Sequence, residues 1–104
     1  MRQLNEVFWA RETNEDLRVG FTPDGLVSLG QIWQFIPRVA IGDQVQGGQA
    51  IATIESTSAL RSLLIPITGR LSWINPAILE YPETISEKTD IFAFSKAGHA
   101  LFSL

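Results

Sequence analysis

Glu55-Ser56-Thr57-Ser58-Ala59 is a run of small and polar residues set between two apolar stretches, Ile51-Ala52-Thr53-Ile54 before it and Leu60-Arg61-Ser62-Leu63-Leu64-Ile65 after it. Each stretch is long enough for a strand and the space between them is short. The pattern predicts a tight β-hairpin with its tip near Thr57 and Ser58. That tip carries hydroxyls and one carboxylate, with no lysine, cysteine or histidine.

On the N-terminal side, Thr22-Pro23-Asp24 combines an N-cap hydroxyl, a proline at the first helical position and an acid in the first turn. A short helix over residues 23–29, stopped by Gly30, follows from it. Ahead of it, residues 7–11 and 17–21 bracket a polar stretch rich in turn formers and predict an opening hairpin. Gln31-Ile32-Trp33-Gln34-Phe35-Ile36, ended by Pro37, reads as a strand with apolar residues on both faces and a candidate for the core. Gly42-Asp43 and Gly47-Gly48 flank the single apolar Val45, which predicts two turns around a very short strand.

On the C-terminal side, Pro66-Ile67-Thr68-Gly69 predicts a turn leading into a strand over residues 70–74. Asn75-Pro76 repeats the cap-and-proline helix start, and Pro82 limits that helix to a turn or two. Residues 90–94 read as a closing strand and residues 96–104 as a tail of undefined structure. Short strands punctuated by Gly and Pro, with two brief helices, predict a mostly β sandwich or barrel. The 104 residues form a single domain on this reading, with no linker. The turns on either side of the central hairpin suggest a pseudo-symmetric pair of sheets.

Composition removes several function classes. The net charge is -3 and the six arginines are scattered, so no basic stripe with interleaved aromatics supports nucleic-acid binding. The absence of cysteine excludes disulfides, thiolate catalysis and cysteine-ligated metals. Arg61, Pro66 and Gly69 interrupt the longest apolar stretch below the length of a membrane span, and no secretory signal is visible, so the expectation is a cytoplasmic protein. No paired carboxylates, activated nucleophile or phosphate-cradling loop marks an enzyme. His99 is the one histidine, too little for a base or metal site, and it reads as a tail residue. Trp9, Trp33 and Trp73 each sit in a predicted strand and read as core or half-buried sheet residues, with one of them available to a partner surface.

In this order, the elements resemble the H protein of the glycine cleavage system, within the lipoyl and biotinyl carrier group. Val19-Gly20-Phe21-Thr22, Leu29-Gly30-Gln31-Ile32, Ile41-Gly42-Asp43-Gln44-Val45 with Gly48, and Pro66-Ile67-Thr68-Gly69 with Asn75, Leu79, Pro82, Glu83 and Ile85 carry the resemblance. It implies a flattened barrel-sandwich hybrid of the lipoyl-domain type. In such proteins a lysine at the hairpin tip is joined by an amide to lipoate, which carries an aminomethyl group between enzymes. The family's Glu-Ser-Val-Lys-Ala segment falls on Glu55-Ser56-Thr57-Ser58-Ala59, so Ser58 stands at the lysine position and Glu55 at that of the acid read by the attaching enzyme.

A hydroxyl cannot form that amide, and Lys88 and Lys96, the two lysines of the chain, lie far along the sequence. Residues 87–91 also lack the glycine-rich, tryptophan-containing segment usual before the final strand. The resulting expectation is an H-protein-like chain that is not lipoylated, holds no cofactor and acts by non-covalent binding. Its partners would be glycine cleavage enzymes, a lipoate-attachment enzyme, or a second copy of itself. The rival is a true lipoyl carrier whose acceptor lies elsewhere or whose lysine at 58 has been replaced. Ser56, Thr57 and Ser58 read as turn formers, with phosphorylation at an exposed tip as the other use of three hydroxyls.

Overall fold

The structure, a computed structural model, describes residues 2–96 and the backbone of residues 101–102. Its order is β1 (Arg2–Gln3), β2 (Phe8–Glu12), β3 (Asp16–Phe21), α1 (Pro23–Leu29), β4 (Ile32–Pro37), β5 (Gln44–Val45), β6 (Ala50–Ser56), β7 (Leu60–Leu64), β8 (Ile67–Ile74), α2 (Pro76–Glu80), a 3-10 turn (Pro82–Thr84), β9 (Phe92–Ser95) and β10 (Leu101–Phe102). Two antiparallel sheets result, not closed into a barrel. The larger runs β1-β2-β3-β9-β8-β10, with β5 also on β8; the smaller is β4-β6-β7. In place of the expected pseudo-symmetric pair, the two sheets are unequal, because β9 inserts between β3 and β8 and joins the first hairpin to the second half of the chain.

Both helices form where their caps predict. Thr22 Oγ1 accepts from the Gly25 N–H at 2.9 Å and donates to the Glu6 carbonyl, so one hydroxyl caps α1 and ties it to the loop before β2. Asn75 Oδ1 accepts from Ala77 N–H at 3.0 Å and its amide donates to the Asp90 carbonyl at 2.8 Å. Pro82 ends α2, and a 3-10 turn follows it.

The core lies between the sheets. Phe21, Phe92, Phe94, Ile51, Ile54, Ile65, Ile67 and Leu71 are fully buried, and Phe8 stacks on Phe21 with centroids 5.5 Å apart. Phe35 of the small sheet meets Phe92 of the large one at 5.8 Å. Among the described residues no buried side-chain nitrogen or oxygen lacks a partner, as a fold of this size requires.

Three local expectations change. The strand after α1 buries Ile32 and Phe35 but exposes Trp33 and Gln34. A register shift between Ile32 and Gln34 puts an extra residue in the strand, so Trp33 turns outward and is 54% exposed instead of packing in the core. Trp9 is buried and Trp73 half-buried, as their strands predict. Pro66 precedes a strand that already starts at Ile67, because Val45 pairs with Gly69 and residues 101–102 pair with Thr68 and Ile67, giving the supposed turn its ladder. The closing strand expected over residues 90–94 runs instead from Phe92 to Ser95 and pairs with β3 on one side and β8 on the other.

On the exposed side of the large sheet, Arg11 and Arg18 stand directly opposite each other, an unfavourable like-charge pair by itself. Asp90 Oδ2 lies 2.8 Å from Arg11 and 3.8 Å from Arg18, Asp16 lies 3.2 Å from Arg18, and the Arg18 guanidinium sits 4.6 Å over the Trp73 ring. Burial alone would raise the Asp16 carboxyl. Hydrogen bonds from Thr13 and Arg18 and the charges of Arg18 and Arg11 outweigh it and hold the group below the usual carboxylate value.

Candidate functional site at the hairpin tip

β6 and β7 form the expected hairpin, with Glu55 opposite Leu60 as its last ladder pair and residues 57–59 as the tip. The flanks hold it to the fold: Ile51, Ala52, Ile54 and Leu63 are buried, while Glu55, Thr57, Ser58, Ala59 and Leu60 are exposed. Leu60 is 70% exposed, which puts an apolar side chain beside the polar tip. Ser56 is buried at the base of the loop. Its N–H donates to the Ala59 carbonyl at 3.1 Å, its hydroxyl donates to the same carbonyl at 3.3 Å, and the Ser58 N–H donates to its Oγ at 3.3 Å. Ser56 is therefore a turn former, whereas the Ser58 hydroxyl makes no hydrogen bond among the described residues.

A second layer fixes the tip from outside the hairpin. The Thr57 N–H donates to the Gln31 carbonyl at 3.0 Å, and the Gln31 N–H donates to Thr57 Oγ1 at 3.1 Å. Arg61 Nη1 donates to Ser28 Oγ at 3.1 Å, one strand pair below. The link between α1 and β4 thus lies against the tip, at Gly30, which adopts the left-handed φ of 74°. None of this was legible in the sequence, because the bonded residues lie 26 and 33 positions apart. Along the other side of β7 runs a groove of about 230 Å³ lined by Asn5, Val7, Phe8 and residues 61–64.

The remaining candidates lie apart from the tip. Lys88 lines a shallow pocket of about 280 Å³ with Trp9, Pro23 and Glu87. Lys96 pairs with Glu12 at 3.3 Å, and its N–H donates to the Glu15 carbonyl, at the turn end of the first hairpin. His99 lies outside the described residues, as does most of the tail expected over 96–104. Among the described residues no group of three potential metal ligands exists, and no helix is long and apolar enough to cross a membrane. Chemically the tip is an exposed, fixed loop of hydroxyls with one flanking carboxylate. It presents no amine, so its residues do not fit an amide-linked lipoyl group.

Residues 1–90 match the family model described as glycine cleavage H-protein. A glycine cleavage system H protein from Anaeromyxobacter sp. (strain K) is 32% identical over 87 residues, 84% of this chain and 67% of its own length. One from Xanthomonas campestris pv. campestris (strain B100) is 35% identical over 80 residues, 76% of this chain and 60% of its own length. The chain therefore spans about two thirds of the length of such relatives. The crystal structure of a glycine cleavage system H protein from Mycobacterium marinum superposes with a TM-score of 0.74, covering 89% of this chain and 80% of that one, at 20% identity. At that identity the likeness is one of fold.

Proposed function

This chain belongs to the glycine cleavage H-protein family, and from that premise we propose that it is an unlipoylated member that works by non-covalent contact. The family is one of carriers and not of enzymes. The observation that carries the proposal is the exposed Ser58 on an otherwise complete hairpin. Amide formation needs an amine. A serine hydroxyl is a weak nucleophile without an adjacent base, and the described residues place no histidine at the tip. Glu55, exposed and opposite Leu60, fits a recognition contact for an enzyme that grips the hairpin. The partners proposed are enzymes of the glycine cleavage system or an enzyme that attaches lipoate.

The scaffold around the tip is kept although its reactive residue is not, which favours a role in being recognised over one in transferring a group. The competing reading, a carrier with its acceptor elsewhere, falls on Lys88 or Lys96. Intact mass of the protein isolated from its own cells separates the two. A mass equal to the sequence is expected; a species heavier by one lipoyl group would overturn the proposal, and peptide mapping would then name the acceptor. As a companion, Ser58→Lys is expected to turn the chain from unmodified to largely modified by a lipoate ligase supplied with lipoate and ATP. If the variant folds and stays unmodified, the hairpin is no longer the surface such an enzyme reads.

A further inference from the structure

The two hydrogen bonds between residues 31 and 57 differ in what they require of the sequence. The one from Thr57 N–H to the Gln31 carbonyl is backbone to backbone and available to any residue but proline. The one from Gln31 N–H needs an oxygen on the side chain at 57. Gly30 is the third part of the arrangement. A Cβ there would collide with Thr57 Oγ1 and lie 3.0 Å from Ser58 Oγ, so the hairpin tip rests directly on a bare backbone. Its positive φ suits glycine for the same position.

We propose that Thr57 is the positioning residue of the tip: its hydroxyl closes a two-bond latch onto the Gly30-Gln31 turn and holds residue 58 in one preformed orientation. The inference deepens the function proposed above and rests on the tip being the surface that a partner grips. The latch differs from the bonds within the hairpin, because it couples the tip to α1 and β4 and not to its own strands. Gln31 is exposed, so water replaces the lost partner when the hydroxyl is removed, and the fold is little affected. What changes is the freedom of the loop. A loop ordered before binding loses less conformational entropy on binding, so the latch raises affinity without adding a contact to the partner.

The test compares Thr57→Val, which keeps the β-branched shape and deletes the acceptor, with Thr57→Ser, which keeps the hydroxyl. In the full-length protein, amide exchange at Gln31 is expected to speed up about five-fold in Thr57→Val, the size of one ordinary hydrogen bond. Thr57→Ser restores it, and the Ile91 amide, bonded to the Val19 carbonyl inside the large sheet, is unchanged in both. On a Ser58→Lys background with a lipoate ligase, where valine at 57 would rebuild the family's Glu-Ser-Val-Lys-Ala segment, Thr57→Ala is used to delete the hydroxyl: KM rises by a similar factor while kcat holds, and Thr57→Ser returns it. Exchange that is the same in Thr57→Val as in the parent overturns the latch. Faster exchange with an unmoved KM overturns the positioning role. If Ser58→Lys is not modified at all, the reading of the tip as a gripped surface fails, and the exchange data alone decide the latch.

Discussion

Phe92→Ala is expected to lower the stability of this protein by about 3 to 5 kcal/mol, the usual range for a large aromatic removed from a packed core. Phe92 is fully buried in β9, with β3 on one side and β8 on the other, and its ring meets Phe35 of the smaller sheet. Its removal opens a cavity where Phe92 meets Phe35, an aromatic contact between the two sheets. Each neighbour is itself held in a ladder, so collapse into the space is limited and the cavity term stays large. Domains of this size are commonly stable by only about 5 to 15 kcal/mol, so the variant should lie near its unfolding threshold at moderate temperature. Urea unfolding of the variant and parent with equal slopes would measure the difference. A loss below about 1 kcal/mol would mean that the sheets do not share a continuous core at this point.

Gly20→Ala is expected to cost about 3 kcal/mol by overpacking. The position has ordinary extended backbone, so the cost is one of space. An added Cβ would overlap the Trp9 ring at Cζ2, approach Cε2 to 2.6 Å and lie 2.5 Å from the Thr89 carbonyl oxygen. Neither neighbour yields easily. Trp9 is 4% exposed, and its indole N–H donates to the Glu87 carbonyl at 2.9 Å; the Thr89 oxygen belongs to the backbone. A cycle with Trp9→Leu tests the cause, since the two substitutions together should cost less than the sum of their separate effects. Strict additivity would show that Gly20 is needed for some reason other than the indole lying on it.

The sequence was readable where the signal is local. Thr22-Pro23 and Asn75-Pro76 announce both helices because a cap and its bonded N–H lie two or three residues apart. The central hairpin was likewise visible, since Glu55 to Ala59 separates two apolar runs whose residues pair with each other. Trp33 faces outward because a bulge depends on the register with β6, which residues 31–37 do not encode by themselves. Ile67 to Gly69 look like a turn until Val45 and residues 101–102 supply the pairing. β1 carries no sequence signal of its own, because Arg2 and Gln3 are polar and its pairing rests on Trp9 and Ala10. For the site, what residue type alone shows is that Glu55 to Ala59 holds no amine. It does not show the latch, because Thr57 reads equally well as a turn former.

The place of β9 also sets the order in which the chain can become a protein. β3 is flanked on one side by β2, its neighbour in sequence, and on the other by a strand synthesised much later, with Val19 meeting Phe92 and Asp16 meeting Ser95. The small sheet, by contrast, draws on β4, β6 and β7, all between residues 32 and 64. During synthesis the small sheet can assemble first, while the open side of β3 waits for Phe92–Ser95. Pairings of such wide sequence separation are slow to form, so the arrival of β9 governs when β3 ceases to expose its open side.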